Sequence, residues 1–366
     1  MEKEKIYVTK SSMPDFDDYC NLIRKIWESH YMTNNGPLHE ELCERIKEFL
    51  GVSNVTLFTN GHLSLENALQ ALDLHGEIIT TPFTFVSTTH AIARTGNIPV
   101  FCDINPDNYT IDADKIESLI TDKTCAILPV HVYGNVCDVE KIEEIAKKYN
   151  LKVIYDAAHA FGVKYKGKSI ASYGDMSMFS FHATKVFNTI EGGALVYDDP
   201  NFAKVLNNLK NFGILSEEEV EYIGGNAKMN EFQAAMGLLN LENLVDNIEK
   251  RKKVVLKYIE LLSKIEGIKL NAVADNVESN YAYFPIVVED EYGLSRNQLY
   301  ELLKKYDIYS RKYFYPISND FEMYANCRGE TPIARDISEK VLTLPLYPDL
   351  SMDSVCKICK IIKNKK

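Results

Sequence analysis

The stretch Gly174-Asp-Met-Ser-Met-Phe-Ser-Phe-His-Ala-Thr-Lys185 decides the fold class of this chain. It reads as a short apolar strand followed by a polar segment that ends in Lys185. A second run lies upstream, Tyr155-Asp156-Ala-Ala-His159-Ala-Phe-Gly162, and it places Asp156 at the end of another apolar strand. The carboxyl ends of parallel strands meet at one edge of a sheet, where ligands bind. We therefore expect Asp156 and Lys185 to lie in one site.

The first two-thirds of the chain alternates short apolar runs with amphipathic helical patterns, such as 63–72 and 138–149. The strand-like runs are 55–58, 77–81, 99–103, 124–131, 152–157, 176–181 and 194–197. Strand–helix alternation of this kind predicts an α/β fold with a largely parallel sheet covered by helices on both faces.

The C-terminal third has a different pattern, and 366 residues exceed one typical core. A nearly unbroken helical pattern covers 229–265 and predicts one or two long helices. Strand runs at 281–288 and 341–344 then mix with helical patterns at 295–306 and 351–362. We predict a large α/β domain over 1–245 and a smaller α+β domain over 246–366.

The composition excludes several classes of function. The net charge of −11 argues against a nucleic-acid or anionic-membrane partner, because both reward clustered positive charge. No apolar stretch approaches the length of a membrane span, and the first residues carry no secretory core. The eight cysteines are scattered, and the Cys356/Cys359 pair has no second pair at metal-ligand spacing. We expect a cytoplasmic protein without a bound metal.

An Asp at the end of one strand and a Lys after the next suit pyridoxal 5′-phosphate chemistry. The lysine amine bonds covalently to the cofactor aldehyde, and the carboxylate keeps the pyridine nitrogen protonated, which makes the ring an electron sink. A solvated surface lysine is the alternative for Lys185, but it follows an apolar strand. An Asp156 that caps the next helix would give the same pattern, and the upstream spacing from Lys185 favours the cofactor.

The chain resembles a nucleotide-sugar aminotransferase of the DegT/StrS type, among the fold-type-I pyridoxal phosphate enzymes. The resemblance runs from about residue 32 to residue 348. Its anchors occur in the family's order: Pro82-Phe-Thr-Phe-Val-Ser-Thr88, Val130-His-Val-Tyr-Gly134, Asp156-Ala-Ala-His159, Phe179-Ser-Phe-His-Ala-Thr-Lys185, Glu191-Gly-Gly193 and Asn226-Ala-Lys-Met-Asn-Glu231. It implies an aspartate-aminotransferase-like fold with a seven-stranded, mainly parallel sheet and a smaller α+β domain.

The resemblance implies roles for residues around the cofactor ring. Lys185 would carry the cofactor and move a proton between substrate and cofactor. His159 would lie beside the ring oxygen, although a lone His is more often structural. Phe85 would stack on the ring, and such stacking adds about 0.5–1.5 kcal/mol. A core Phe at a helix start would fit the same position.

The phosphate needs amide and hydroxyl donors. Gly61 lies between a strand and a helix, where free N–H groups and the helix dipole favour an anion, and Ser180 is the expected hydroxyl ligand. The family usually has Gly-Thr where this chain has Gly61-His62, so His62 would donate through its backbone or ring, or point elsewhere. Asn226 resembles a residue that reaches the phosphate from a second subunit, which implies a homodimer with shared active sites. An ordinary turn Asn is the alternative.

The substrate side is less specific. Thr33 and Asn34, in the N-terminal loop, resemble residues that close over the nucleotide sugar, as do Arg311, Tyr313 and Tyr315. A guanidinium would pair with a diphosphate, and the tyrosines would stack on a base or sugar. A solvated basic-aromatic loop is the alternative.

Within the family, His182-Ala-Thr-Lys185 and Asn226-Ala-Lys-Met-Asn resemble enzymes that aminate C4 of dTDP-4-keto-6-deoxyglucose with L-glutamate, for O-antigen or another surface glycan. Amination at C3, or a UDP or GDP carrier, remains open. A sugar dehydratase of this fold usually replaces the lysine with His or adds an iron–sulfur cysteine set. The intact Lys185, Asp156 and Ser180 also argue against a non-catalytic regulator.

Overall fold

A computed structural model describes residues 5–271 and 273–365 of the chain. The strands are β1 Ile6–Tyr7, β2 Asn54–Phe58, β3 Glu77–Thr80, β4 Ile98–Phe101, β5 Thr124–Leu128, β6 Lys152–Asp156, β7 Lys164–Tyr165, β8 Lys168–Ser169, β9 Met176–Ser180, β10 Gly193–Tyr197, β11 Ile214–Ser216, β12 Glu219–Val220, β13 Ile268–Leu270, β14 Val277–Glu278, β15 Phe284–Val288, β16 Ile308–Tyr309 and β17 Val341–Leu344.

The α-helices alternate with the strands in the first half and dominate the second. They are α1 Phe16–Ser29, α2 Pro37–Leu50, α3 Gly61–Ala71, α4 Ser87–Arg94, α5 Ala113–Ile116, α6 Val139–Tyr149, α7 Asn201–Leu209, α8 Glu231–Glu242, α9 Leu244–Leu262, α10 Arg296–Lys305, α11 Pro332–Lys340 and α12 Met352–Asn364. Over these described residues, no helix is both long enough and apolar enough to cross a membrane.

The central sheet has seven strands in the order β2-β10-β9-β6-β5-β3-β4. All neighbours are parallel except β10, which runs antiparallel to both β2 and β9. Each of the seven predicted strands lies in this sheet, so the predicted fold class is confirmed. The predicted strand 124–131 was too long, because β5 ends at Leu128 before a proline, which has no N–H to donate to the ladder.

Helices cover both faces of the sheet. Successive residues of one strand enter different cores: Leu57 and Val153 pack in the cluster with α2, α6 and α8, whereas Phe58 and Ile154 pack in the cluster with α3 and α4. This alternation follows from the two-residue repeat of a strand. Fully burying an aliphatic or aromatic side chain contributes about 1.5–3 kcal/mol, so both faces stabilise the sheet.

A separate core lies in the C-terminal third. Strands β13, β15 and β17 form an antiparallel sheet, and its buried side chains pack against α9, α10 and α12. Ile6 of β1 joins this core because β1 pairs with β16. The predicted helical stretch 229–265 is two helices, with Asn243 between them. The predicted domain boundary at 245/246 stays a prediction.

Side-chain hydrogen bonds fix the starts of two helices, α2 and α3. Asn60 caps α3 by accepting a hydrogen bond from the Leu63 amide at 2.8 Å. Glu231, at the start of α8, accepts hydrogen bonds from the Leu38 and His39 amides at 2.8 and 2.9 Å. The carboxylate thus caps α2 from another helix and joins the starts of α2 and α8.

Candidate active site

A cavity of about 520 Å³ lies at the carboxyl ends of the central strands. Residues from the β2–α3 turn, the β3–α4 turn, the end of β6 and the segment after β9 form most of its wall. Nine of the predicted site residues line this cavity: Gly61, His62, Phe85, Asp156, His159, Ser180, Lys185, Arg311 and Tyr313.

Lys185 lies in the turn that follows β9. Its amide donates to the His182 carbonyl at 2.9 Å, which closes the turn and directs the chain back toward the cavity. Burial lowers the pKa of the Lys185 amine from 10.5 to about 8, and the nearby Asp156 and Tyr313 partly oppose this shift. About a tenth of such an amine is neutral at pH 7, far more than of an ordinary lysine, so it can act as a nucleophile or base.

Asp156 is the last residue of β6 and is buried. One carboxylate oxygen accepts a hydrogen bond from the Thr88 hydroxyl at 2.7 Å, and the other accepts from the Ala158 amide at 3.0 Å. Burial raises the pKa of Asp156, while these two hydrogen bonds and the Lys185 charge oppose the rise. The direct donors are neutral, so a cationic N–H in the cavity would stabilise the carboxylate further.

His159 is held in one tautomer. Its Nδ1 accepts a hydrogen bond from the Tyr133 amide at 3.1 Å, so the proton of the neutral ring is on Nε2. Burial keeps the pKa of His159 well below its usual value, and the Lys185 charge adds to this effect. The ring stacks on Phe314 with 5.9 Å between centroids and 2° between planes. His159 is therefore a neutral, fixed donor.

Phe85 is a large apolar side chain that is 55% exposed at the cavity wall. A hydrogen bond between the Thr84 and Thr88 hydroxyls, 3.0 Å long, holds the turn that presents it. The alternative of a core Phe does not apply, because core side chains in this chain are almost wholly buried. An exposed aromatic face in a cavity is suited to stacking on a flat ligand ring.

The start of α3 forms a cup for an anion. Within the described residues, the Gly61 and His62 amides donate to no other group, since the Asn60 cap engages the Leu63 amide instead. A Cβ on Gly61 would lie 2.9 Å from the Cβ of Ser180, so only glycine permits this approach of α3 to β9. Free amides at a helix start with an adjacent hydroxyl suit a phosphate group.

The His62 side chain points away from the helix axis toward α4. Its Nδ1 is 2.8 Å from the Ser87 hydroxyl, and its Nε2 is 3.0 Å from a carboxylate oxygen of Glu66. This answers one question left open by the sequence: the ring is engaged between two helices at the edge of the cavity.

Four predicted residues lie outside the cavity. Asn226 is exposed in the loop before α8, and Thr33 and Asn34 are exposed in the loop before α2. Tyr315 is half-exposed, and the Arg296 guanidinium lies 4.7 Å above its ring. Arg311 and Tyr313 do line the cavity, and the Arg311 guanidinium lies 4.6 Å above the Tyr313 ring.

Sequence reasoning missed several residues of the site. Thr88 donates a hydrogen bond to Asp156 but was not predicted as a site residue, although its position three residues after Phe85 was an available signal. Ser87 was missed in the same way. Tyr283 and Phe314 line the cavity from the C-terminal third. Phe314 lies in the aromatic run that includes Tyr313 and Tyr315, but neither Phe314 nor Tyr283 was predicted as a site residue.

The residues present fit pyridoxal 5′-phosphate. The cavity combines an amine of lowered pKa, a buried carboxylate, an exposed aromatic face and an anion cup; among the described residues, the donors to this carboxylate are the neutral Thr88 hydroxyl and Ala158 amide. These are the groups that the cofactor's aldehyde, ring nitrogen, ring face and phosphate require.

Comparison with known proteins extends this picture. The sequence profile of the DegT/DnrJ/EryC1/StrS aminotransferase family matches residues 16–363. Two relatives named dTDP-4-amino-4,6-dideoxy-D-glucose transaminase, from Shigella dysenteriae and Escherichia coli, are 45% and 46% identical, with 100% of each chain covered. The crystal structure of DesI with its TDP-sugar product has a TM-score of 0.94 and 30% identity, and covers 98% of this chain and 92% of DesI.

Proposed function

The chain belongs to the DegT/DnrJ/EryC1/StrS aminotransferase family, and we propose that it moves an amino group from L-glutamate to C4 of dTDP-4-keto-6-deoxy-D-glucose. The product is dTDP-4-amino-4,6-dideoxy-D-glucose. The observation that carries the substrate is the full-length identity of 45% and 46% to transaminases named for this product. The class of reaction follows from the family: the chain is a pyridoxal phosphate-dependent nucleotide-sugar transaminase.

The proposed cofactor contacts follow from the cavity. Lys185 would hold the cofactor through Nζ, Asp156 would accept from the ring nitrogen, and the neutral His159 would donate from Nε2 to the ring oxygen. Gly61 and Ser180 would bind the phosphate. Bound pyridoxal phosphate supplies an electron sink that stabilises negative charge on the carbon losing its proton.

Lys185 then carries the proton. Once the donor's amino group has displaced Nζ from the cofactor, the freed amine, with a pKa of about 8, would accept the proton of the donor Cα and would later return it to the cofactor carbon. Burial supports both steps. The lowered pKa leaves part of the amine neutral near pH 7, ready to accept a proton, and makes the protonated amine acidic enough to give that proton back. The same residue runs the second half-reaction in reverse on the keto sugar, which gives ping-pong kinetics.

Arg311 and Tyr313 are the proposed substrate contacts inside the cavity. The guanidinium would pair with the diphosphate of the nucleotide, and the aromatic ring would pack against the sugar or base. Thr33, Asn34 and Tyr315 are proposed to reach the nucleotide sugar only when the flanking loops close over it. Replacing Arg311 with Met should raise KM for the nucleotide sugar and leave KM for glutamate unchanged.

We also propose a homodimer in which Asn226 reaches the phosphate of the other subunit. The loop between α7 and α8 supports this, because four of its apolar side chains are at least 37% exposed: Phe212, Ile214, Val220 and Ile223. Mixing Lys185→Ala subunits with Asn226→Ala subunits tests the shared site. Half of the dimers would then contain one intact site, so activity should recover to about a quarter of wild type. If neither variant rescues the other, the sites are not shared.

The wider setting is also a proposal. A product of this kind is a building block for O-antigen or another lipopolysaccharide glycan, made in the cytoplasm where nucleotide sugars are used. The eight cysteines, all free in the structure, are compatible with a reducing compartment. The division into domains 1–245 and 246–366 is proposed on the separate C-terminal core.

The decisive experiment offers glutamate and a panel of keto-sugar nucleotides, with products identified by mass spectrometry and NMR. We expect turnover of the dTDP-4-keto-6-deoxyglucose substrate, and amination at C4. Turnover of a UDP- or GDP-linked sugar instead, or amination at C3, would overturn the substrate. A yellow absorbance band that glutamate abolishes separates an enzyme from a regulator of the same fold.

A further inference from the structure

His62 links α3 to α4, and both of its ring nitrogens have a polar partner. Nε2 is 3.0 Å from Oε1 of Glu66, one turn further along α3, and Nδ1 is 2.8 Å from Oγ of Ser87 at the start of α4. His62 and Ser87 both line the cavity, as does Gly61 of the anion cup. The arrangement therefore connects a carboxylate to a cavity hydroxyl through a group that can gain a proton.

The direction of these hydrogen bonds depends on the protonation of His62. Glu66 can only accept as a carboxylate, so a neutral ring must place its proton on Nε2. Nδ1 is then a lone pair, and the Ser87 hydroxyl must donate to it. In this state Ser87 presents only lone pairs to the cavity, and it cannot donate to an anion there.

A protonated His62 reverses the second bond. Nδ1–H then donates to Oγ of Ser87, and the Ser87 proton is free to point into the cavity. The hydroxyl becomes a donor for an anion next to the Gly61 and His62 amides. The two states differ by one proton and by the rotation of one hydroxyl, with no movement of heavy atoms.

The surroundings keep Glu66 ionised. Although burial raises the pKa of Glu66, hydrogen bonds from His62 and Arg94 bring it below its ordinary value. On α4, Arg94 and His90 are the other charged or titratable groups near His62, and His90 is bonded to the Tyr324 hydroxyl at 2.6 Å. Burial, His62 and Arg94 lower the pKa of His90, so this neighbour adds little positive charge.

On the cavity side, His62 shares the wall with titratable groups of the reaction centre. Those of the segment after β9 are His182, Lys185 and Glu191, and His182 is 3.5 Å from the Glu191 carboxylate. The buried Lys185 amine would also hold its proton more tightly beside an anion, so the test removes it.

We propose that His62 takes up a proton when an anion binds in the cup. The Ser87 hydroxyl then accepts from Nδ1 of His62 and donates its own proton to the anion. His62 is then a positioning residue, which acts through Ser87 in place of a direct side-chain hydroxyl at its own position. The inference rests on the proposed phosphate site but not on the proposed sugar. Since binding consumes a proton, the affinity of the cup for a phosphate group falls as the pH rises.

Sulfate is the suitable probe, because it remains a dianion across the neutral range and any proton taken up belongs to the protein. The host is the full-length apoenzyme carrying Lys185→Met, which removes the lysine amine. Titration calorimetry in two buffers of different protonation enthalpy counts the protons, and ¹⁵N NMR of the imidazole rings shows which histidine receives them. We expect uptake of up to about one proton per sulfate, with Nδ1 of His62 changing from a bare nitrogen to an N–H.

Three variants in the same background complete the test. His62→Gln should abolish the uptake, and Ser87→Ala should weaken sulfate about tenfold at low pH and remove the pH dependence. His75→Gln is the matched control, because His75 makes the same 3.0 Å contact with a carboxylate, Asp73, on the exposed surface. His75→Gln should leave the proton uptake and the sulfate affinity unchanged.

The outcomes separate this inference from the proposed function. Sulfate that binds without changing the His62 ring, or equally tightly to Ser87→Ala at every pH, overturns the inference alone. An apoenzyme that binds no sulfate overturns both the cup and the inference. Turnover of the keto sugar is measured independently on the unmodified enzyme, and its failure would leave the proton count unaffected.

Discussion

The protonation of Lys185 gives the sharpest test of the site. In the apoenzyme, burial lowers the pKa of its amine from 10.5 to about 8, and Asp156 opposes the shift. The perturbation is Asp156→Asn, which removes the negative charge and keeps the size of the side chain. We expect the pKa of Lys185 to fall further in this variant, because a nearby carboxylate favours the charged amine.

The magnitude is large. A pKa of about 8 instead of 10.5 raises the neutral fraction of the amine at pH 7 about 300-fold, from roughly one in 3000 to roughly one in ten. The corresponding free energy is about 3 kcal/mol in favour of the neutral form. Desolvation of the amine in the cavity is the cause, so the effect should be present before any cofactor binds.

Trace acetylation of the apoenzyme from pH 6 to pH 11, with peptides quantified by mass spectrometry, measures this directly. Lys185 should acetylate with a midpoint near pH 8, and earlier in Asp156→Asn. Lys340 is the internal control, since its hydrogen bond to Asp336 raises its pKa and delays its reaction. A Lys185 midpoint near 10.5, or one that ignores Asp156, would refute the reasoning about burial and charge.

Three further predictions concern the surrounding groups. Thr88→Val removes the 2.7 Å hydrogen bond to Asp156 and should weaken cofactor binding about tenfold, measured by absorbance titration; unchanged affinity would contradict the role of this bond. Gly61→Ala places a methyl 2.9 Å from the Cβ of Ser180, so cofactor affinity should fall by at least tenfold while the far-UV spectrum stays native. Because burial raises the pKa of Asp156, its charge costs stability once the pH exceeds its ordinary value, 3.8. Asp156→Asn should therefore raise the apoenzyme Tm at pH 7 and leave it unchanged below pH 4, and a lower Tm at pH 7 would count against it.

The sequence predicted the large sheet well because strand and helix signals are local. Apolar runs of four to eight residues identified each central strand, including β9, which leads to Lys185. Short strands such as β7, β8 and β16 were not predicted, since two-residue elements form only where a neighbouring segment offers a partner. The end of β5 was misplaced because the apolar pattern continues through a residue that cannot pair.

Some features of the cofactor site were also predictable from the sequence, and others were not. Lys185, Asp156 and Gly61 were found from their positions at strand ends, which topology brings together whatever the details of packing. The orientation of His62 was not predictable, because Glu66 lies one turn along the same helix, whereas Ser87 lies on α4 and only the packing of the two helices brings its hydroxyl within 2.8 Å of Nδ1.

The residue pattern alone determined that a parallel sheet would carry an amine and a carboxylate at one edge, because periodicity and connection order suffice for that. Tertiary structure decided the pKa values, the hydrogen bonds and the enclosure of these groups. Burial set the pKa of Lys185, the Thr88 hydroxyl and the Ala158 amide hold Asp156, and Tyr283 and Phe314 line the cavity from the C-terminal third of the chain. Desolvation and hydrogen-bond direction depend on neighbours in space, and a linear sequence does not specify those until the chain has folded.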